Sequence, residues 1–489
     1  MRKNARKDKN SPLTAQILKP DICVIGAGAA GRTIATKAVA AGATVVLVGS
    51  AGAQDAHIGH PSVAVRAFCA AAAHAHAIRR APHFGVTAGE AEIDFRHVMR
   101  HVRHAAAATA PDMSDERLGA LGVRIVSAHA RFKDRRTVET GAFEIRARHF
   151  VVATGAQPEM PPIAGLDEVG CLTAETIFAL TRRPSRLLIT GGGHATLELA
   201  QAFTMLGSQV TVVGTPVSLA LQDPEAASIL LRELRAEGLD MRESATATRI
   251  ERKGRSGVRL CVWSETGGEE IVDGTQLLVL PDTRPATAEL DLKKAGIGFD
   301  ENGIKVSDRM RTTNRNVYAI GDVTGGQQSI HAAARQAEIV LDAILGKGTA
   351  QTNELLLPRV IATEPALASV GLTETVARRQ HKSIRVLRSA YADNDRSQAE
   401  GSTVGFVKII CDEPGRILGV TMVGSEANEL IGVWTLALAR GLTVDDMSSY
   451  LPAYPSFGEI GKRAASGYFA DKARRSIVGR LTGMLRGSG

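Results

Sequence analysis

The chain has few cysteines and no cysteine pairs. Its 489 residues contain five, without a C-x-x-C spacing and at widely separated positions: Cys23, Cys69, Cys171, Cys261 and Cys411. A disulfide framework and a cysteine-based zinc site are therefore excluded, and free thiols in a reducing compartment are expected. We accordingly predict a cytoplasmic protein without a metal centre.

Long apolar runs and aromatic residues are also scarce. Aromatic residues make up 4% of the chain, which argues against an RNA binder that stacks bases on rings. No apolar run is long enough to cross a bilayer, and the start, MRKNARKDKN, lacks the apolar segment of a signal peptide. The net charge is +8, with much of the excess at the two ends. We interpret residues 1–20 as a basic disordered arm in preference to a nucleic-acid attachment, so no nucleic acid partner is expected.

Glycine, in contrast, is concentrated at the turn between a predicted strand and a predicted helix. Residues 21–50 read DICVIGAGAAGRTIATKAVAAGATVVLVGS, an apolar strand, a helix and a second apolar strand. In this context a G-x-G-x-x-G motif predicts a dinucleotide-binding turn, because its glycines allow close approach of a pyrophosphate to the helix N-terminus. The residues of this first motif are Gly26, Gly28, Ala29, Ala30 and Gly31. The acid that usually binds a ribose hydroxyl after the second strand is missing, and Gly49 and Ser50 stand there.

The same unit is repeated at residues 186–215, RLLITGGGHATLELAQAFTMLGSQVTVVGT. Gly191 and Gly193 correspond to the first two motif glycines, whereas Thr196 replaces the third. Gly214 again occupies the place of the ribose acid. An internal repeat of this kind predicts two nucleotides and an α/β fold with two Rossmann-like domains. Without either acid, the choice between NAD and NADP stays open.

Two further helices invite alternative interpretations. The predicted helix 94–108 carries His97, His101 and His104 on one face, a spacing that could bind a metal. Because its apolar stripe lies opposite, we favour a solvated face. The C-terminal segment 471–489 predicts a short basic amphipathic helix, which could lie on an anionic membrane. We favour a solvated or partner-packed helix there.

The order of motifs resembles the class I pyridine nucleotide-disulfide oxidoreductases, which include dihydrolipoamide dehydrogenase, glutathione reductase and mercuric reductase. The matching motifs run from about Pro20 to Lys472: GAGAAG, ATGAQPEMPPIAGL, GGGHATLELAQAF, NVYAIGDV and YPSFGE. The resemblance implies FAD on the first unit, NAD or NADP on the second, and a homodimer formed through an α+β C-terminal domain. It places the FAD domain at 21–165 and 286–350, the NAD(P) domain at 166–285 and the dimerisation domain at 351–470.

The resemblance also implies roles for individual residues. Thr154 and Gly155 would flank the FAD, and Asp322, after Gly321, would meet its ribityl or pyrophosphate. Glu198 would lie near the contact between nicotinamide and flavin. In the C-terminal motif, Tyr454 and Glu459 stand where the family usually has an acid/base His–Glu pair. A phenol is a poor base at neutral pH but a fair hydrogen-bond donor.

The redox disulfide of the family has no counterpart in this sequence. It normally precedes a Pro-Ser-Lys helix start, and alignment on Pro61–Ser62 puts Gln54 and Gly59 at the two cysteine positions. The lysine is Val63, so Glu198 loses its expected partner, which Arg66 could replace. Neither Gln nor Gly can exchange a disulfide.

These observations support two hypotheses. The first is an FAD-dependent NAD(P)H oxidoreductase that passes electrons directly to a small acceptor such as a quinone, with membrane contact through the basic C-terminal helix as an option. The second is a catalytically degenerate family member that acts as a dimeric nucleotide-binding protein or scaffold. Retained glycine motifs favour the first, and lost thiols and ribose acids favour the second.

Overall fold

A computed structural model describes residues 16–49, 61–87, 89–109, 114–254, 257–265, 267–326, 329–348 and 351–475. The chain divides into two compact units. Unit 1 comprises the described residues of 1–59, 107–159 and 283–352, and unit 2 those of 60–106, 160–282 and 353–489. The predicted arm at the start and most of the predicted basic helix at the end lie outside the described residues.

The helices of the described residues are α1 Ala29–Ala40, α2 Pro61–Arg80, α3 Phe95–Ala107, α4 Asp115–Ala120, α5 Leu166–Val169, α6 His194–Met205, α7 Val217–Ala220, α8 Pro224–Ala236, α9 Ile330–Leu345, α10 Glu374–Gln380, α11 Asp395–Ala399, α12 Ala427–Arg440, α13 Val444–Ser449 and α14 Glu459–Arg475. The strands are β1 Gln16–Leu18, β2 Ile22–Ile25, β3 Val45–Val48, β4 Arg124–Val126, β5 Arg131–Asp134, β6 Thr137–Glu139, β7 Phe143–Ile145, β8 His149–Val152, β9 Ala156–Glu159, β10 Arg186–Gly191, β11 Gln209–Val213, β12 Asp240–Arg242, β13 Ala245–Lys253, β14 Gly257–Ser264, β15 Gly268–Gly274, β16 Gln276–Leu280, β17 Asp282–Pro285, β18 Phe299–Asp300, β19 Gly303–Ile304, β20 Val317–Ala319, β21 Arg359–Ile361, β22 Ala366–Gly371, β23 Arg385–Ala390, β24 Phe406–Cys411 and β25 Ile417–Gly424.

Unit 1 is built on a five-stranded sheet in the order β20-β8-β2-β3-β4, whose strands pair in parallel. Every residue of β2 and β3 is buried, because such a sheet is covered on both faces and its strands are continuous apolar runs. A smaller sheet, β1-β7-β6-β5, completes the unit. The parallel order brings the carboxyl ends of β2, β8 and β20 to one edge, where ligands bind in such folds.

Unit 2 contains the second copy of this arrangement, a parallel sheet in the order β12-β11-β10-β16. Helices α2 and α3 pack on α6 through a cluster of rings, in which the centroids of Phe68 and Phe203 are 4.6 Å apart. An antiparallel sheet, β13-β14-β15, follows the repeat. The two glycine-cornered units and their repeat are therefore confirmed, as is the helix beginning at Pro61.

The C-terminal part of unit 2 is an antiparallel sheet, β21-β22-β25-β24-β23, packed on α12 and α14. One buried ion cluster joins it to the nucleotide-binding part: Lys408, 7% exposed, contacts Asp223 at 2.9 Å, Glu225 at 3.0 Å and Glu374 at 3.4 Å. Asp223 also caps α8 by accepting two backbone N–H bonds. Residues 60–106 belong to unit 2. The functional domain boundaries given above remain a prediction.

None of the helices in the described part of the chain is long and apolar enough to span a bilayer. The three histidines of α3 are exposed to solvent. Across the described ranges, no group of three or more His, Cys, Asp or Glu residues is arranged to hold a metal ion.

Candidate functional site

The first glycine motif forms a cradle at the carboxyl edge of the unit 1 sheet. Gly26 has a φ of 112°, and a Cβ there would lie 2.2 Å from the carbonyl oxygen of Ala153 after β8. A Cβ on Gly31 would lie 1.9 Å from the carbonyl oxygen of Gly26, so strand and helix meet with no room for a side chain. Gly28 is the N-cap of α1, and a Cβ added there would have nothing within 4 Å, which leaves the helix N-terminus open to an anion.

Two other predicted FAD contacts lie in the same unit. The Thr154 hydroxyl donates to the carbonyl of Ala286 at 2.8 Å, and the Gly155 carbonyl accepts from the same residue's N–H at 3.0 Å. A Cβ on Gly321 would be 3.3 Å from the Cβ of Ala30, so the turn that carries Asp322 touches the first motif. Burial raises the pKa of the Asp322 carboxyl.

The second cradle repeats this geometry in unit 2. A Cβ on Gly191 would lie 2.2 Å from the carbonyl oxygen of Leu280, whereas Gly193, the N-cap of α6, again has nothing within 4 Å. Thr196, at the place of the third glycine, is fully buried, and its hydroxyl has no hydrogen-bond partner in the part of the chain that the structure describes. Asp282 is a residue that the sequence interpretation missed: its Oδ1 would lie 2.3 Å from a Cβ on Gly192. Its position just beyond an apolar strand could have identified it.

At both positions where a ribose acid would stand, the backbone has a conformation that favours glycine. Gly49 has a φ of 135°, and a Cβ there would lie 3.1 Å from the backbone nitrogen of Ala27. Gly214 has a φ of 93°. Side chains other than hydrogen are strained in such conformations. Ser50 lies outside the described residues, and the hydroxyl of Thr215 donates to the carbonyl of Glu243 at 2.8 Å.

Glu198 lies on α6 and is 8% exposed. Its Oε1 accepts the backbone N–H of Ala362 at 2.9 Å, and Gln201, one turn on, binds both the N–H and the carbonyl of Glu364. Glu198 lines a cavity of about 60 Å³, and Arg66 lies on its wall. Of the ion pairs among described residues, none joins Arg66 to Glu198, so the predicted substitution of Arg66 for the family lysine stays a prediction.

Cys69 lines the same cavity, and its thiol donates to the Glu198 carbonyl at 3.7 Å. Burial, with the Glu198 carboxylate as a smaller contribution, raises the pKa of this thiol to about 12. All five cysteines of the chain are free thiols, and Cys23, Cys261 and Cys411 are buried. A thiol with such a pKa is protonated at neutral pH and is a weak nucleophile.

Glu459 is the first residue of α14, and Tyr454 lies in the segment before it. The two side chains bind different partners. Tyr454 is 73% exposed, and its hydroxyl donates to Asp395 at 3.0 Å. That hydrogen bond raises the pKa of the Tyr454 phenol above its ordinary value, which makes it a still poorer base. The Glu459 carboxylate accepts the Ser456 N–H at 3.2 Å.

Glu237 accepts a hydrogen bond from Gln201 on the cavity wall, and it makes the stability of the protein depend on pH. Burial, reinforced by Glu364 and Glu233 and opposed by the Gln201 hydrogen bond and Arg79, raises the pKa of Glu237 to about 7. A folded-state pKa above the ordinary 4.5 means that the protonated form favours folding. We expect stability to be greatest below about pH 4.5 with respect to this group and to fall as pH rises through about 7.

The substitution Glu237→Gln should remove this loss of stability between about pH 5 and 8. Chemical unfolding across that range measures it, and Glu301→Gln, an exposed glutamate that does not act on Glu237, serves as the control that should keep the wild-type dependence on pH. If the free energy of unfolding depends on pH equally in wild type and Glu237→Gln, then Glu237 is not the group responsible.

Two open helix N-termini at the edges of two parallel sheets fit two dinucleotides, since a pyrophosphate needs the space that Gly28 and Gly193 leave. Together with the C-terminal antiparallel sheet, they define the class of proteins with two dinucleotide-binding domains and a separate α+β domain.

Comparison with known proteins identifies the family. The pyridine nucleotide-disulphide oxidoreductase model matches residues 20–337, and its dimerisation domain matches residues 357–465. The chain therefore belongs to this family, whose members use FAD and NADH or NADPH, and the predicted fold class and cofactors are confirmed at that level. The dimerisation-domain match supports a homodimer.

Individual proteins of this family are similar to the chain over most of its length. The chain is 30% identical to a mercuric reductase of Lysinibacillus sphaericus over 91% of its own length and 82% of the relative's. It is 32% identical to a dihydrolipoyl dehydrogenase of Thermus scotoductus, over 90% and 95%. The structure of the HOCl-induced flavoprotein disulfide reductase RclA from Escherichia coli is similar with a TM-score of 0.78 at 26% identity, over 91% of this chain and 99% of that one.

Proposed function

We propose that the protein is an FAD-dependent NAD(P)H oxidoreductase that delivers electrons directly to a non-disulfide acceptor, a quinone or another small molecule. The observation that carries the proposal is the state of the thiols: five free, dispersed cysteines, with no cysteine in the segment before α2 where the family places its pair. Bound FAD would supply the redox chemistry between the nicotinamide and the acceptor.

The two cradles support this proposal because they would hold the two nucleotides separately. Gly26, Gly28 and Gly31 would receive the FAD pyrophosphate, with Thr154 and Asp322 at the same edge of the unit 1 sheet. Gly191 and Gly193 would receive the nicotinamide nucleotide in unit 2.

Two residues, Glu198 and Tyr454, would face the reacting groups, and a third, Glu459, would position one of them. Glu198 would stand near the nicotinamide, held by the Ala362 N–H. Tyr454 would keep its proton and donate it to the acceptor in a hydrogen bond that replaces the one now made to Asp395. Glu459 would fix the backbone of the turn that presents Tyr454.

The position of Cys69 makes it the thiol to test. We predict that Cys69→Ser leaves the rate of NAD(P)H-dependent dye reduction within about twofold of wild type, because a protonated, half-buried thiol takes no part in electron transfer. Anaerobic stopped-flow reduction of the bound flavin measures the first half of the reaction without any acceptor. Cys171→Ser is the matched control, and complete loss of activity in Cys69→Ser alone would refute the disulfide-free mechanism.

A second candidate is a degenerate dimer that binds nucleotides without turnover, favoured by the absence of an acid at both Gly49 and Gly214. The visible spectrum of the purified protein separates the two candidates. A yellow protein bleached anaerobically by NADH or NADPH supports the enzyme. A colourless protein that takes up no FAD on reconstitution refutes it.

A further inference from the structure

Arg32 is an unusual residue for the first turn of a nucleotide-binding helix, because its charged side chain is buried. It is 5% exposed, and its Nε donates to the carbonyl of Ala27 inside the glycine motif at 2.7 Å. Its Nη2 contacts the Asp115 carboxylate at 2.6 Å. Its Nη1 is buried and has no hydrogen-bond partner within the described residues. An unsatisfied buried guanidinium nitrogen is costly, which points to a partner outside the described residues.

Asp115 comes from a different element, the start of α4, and is separated from Arg32 by 83 positions in sequence. Its side chain is 39% exposed, so one side remains open to a ligand while Arg32 holds the other. Helix α4 leads into β4, the outer neighbour of β3 in the parallel sheet, and β3 is the strand that would normally end in the ribose acid.

A series of contacts connects Gly49, Arg32 and Asp115 through the backbone of Ala27. A Cβ on Gly49, at the end of β3, would lie 3.1 Å from the nitrogen of Ala27, and the carbonyl of Ala27 binds Arg32, which binds Asp115. The Asp115 carboxylate is therefore linked to the end of β3 through the backbone of Ala27 and the side chain of Arg32.

We propose that Asp115 supplies the missing ribose acid of the first cradle, and that Arg32 is the residue that positions it. Asp115 accepts the hydrogen bond of the adenosine 2′-hydroxyl of FAD, and the free Nη1 of Arg32 donates to an oxygen atom of the same nucleotide. This assignment rests on the proposed FAD site. It accounts for two observations together: a glycine at position 49 with a φ of 135°, and a buried guanidinium with one unused nitrogen.

The test measures the affinity of the flavin-free protein for FAD and for the FAD analogue with 2′-deoxyadenosine. Wild type should bind FAD about ten- to a hundredfold more tightly, the value of a hydrogen bond to a charged acceptor. Asp115→Asn should reduce this ratio to less than about threefold. Arg32→Lys, which keeps the charge but not the two-pronged contact, should also reduce the ratio. Glu116→Gln, the exposed neighbour on α4, should leave it unchanged.

The ratio is read from folded protein, so it is insensitive to a loss of stability in any variant. A wild-type ratio near one, or an Asp115→Asn ratio equal to that of wild type, overturns the assignment while leaving the proposed function intact. Failure of wild type to bind FAD at all overturns both.

Discussion

Replacing Gly28 by aspartate should abolish FAD binding, and replacing Gly193 by aspartate should abolish NAD(P)H binding, each without unfolding the protein. Both glycines are N-caps with a φ near −80°, at −73° and −80°, and both have open space around a Cβ. Aspartate is a favourable N-cap, so apoprotein stability should be unchanged or higher by a few tenths of a kcal/mol.

The loss of binding follows from charge. A carboxylate at either N-cap would face a pyrophosphate bound there, and two like charges about 4 Å apart repel by about 4 kcal/mol at an effective dielectric constant of 20. That energy corresponds to roughly a thousandfold in affinity. Gly28→Asn and Gly193→Asn are the matched controls, since asparagine has the same shape without the charge and should cost less than about tenfold.

Flavin content after reconstitution measures the first cradle, and fluorescence titration with NADH or NADPH measures the second. The two variants should be reciprocal: Gly28→Asp keeps nicotinamide binding, and Gly193→Asp remains yellow. If either aspartate variant binds both nucleotides with wild-type affinity, its motif is a structural turn and the assignment of that cradle is wrong.

Replacing Lys408 by methionine should lower the free energy of unfolding by about 3–5 kcal/mol, the usual cost of leaving a buried charge without its partner. Lys408 and Asp223 are 7% and 2% exposed, and the lysine holds two further carboxylates. Among the described residues Asp223 has no ion pair other than the one with Lys408, and the half-exposed Arg388 pairs with Glu225, so removal of the lysine leaves Asp223 buried without a partner.

Urea unfolding of Lys408→Met, compared with wild type, measures this loss. Lys305→Met removes an exposed ion pair with Asp300 and should cost less than about 1 kcal/mol. The double variant Lys408→Met/Asp223→Asn should recover part of the loss, because asparagine can still cap α8 without a charge. A cost below about 1 kcal/mol for Lys408→Met would show that the cluster is solvated in solution.

The glycine spacing and the apolar strands were enough to predict both cradles, because close approach of backbone to backbone leaves a direct mark on sequence. Gly26 and Gly31 have no space for a Cβ, and Gly191 has none in the repeat. The same logic predicts the order of strand, helix and strand, since a parallel sheet covered on both faces needs uninterrupted apolar runs.

The contacts of charged residues could not be predicted in the same way. Arg32 and Asp115 meet only because α4 precedes the strand next to β3, and no local pattern reveals that neighbour. The partner of Glu198 is similarly a backbone N–H 164 positions away. The arginine in the first turn of α1 was visible in the sequence, but its burial was not.

The interleaving of the two units has a consequence for synthesis of the chain. Unit 1 is assembled from three separate stretches that end at residue 352, and unit 2 from three that extend into the last segment. Neither unit can complete its core until its final stretch has left the ribosome. The early apolar strands β2 and β3 therefore remain in an incomplete sheet until β20 has been synthesised, after most of the chain. During that interval their unpaired edges are open to aggregation, which makes chaperone dependence and slow refolding the expected cost of this order of segments.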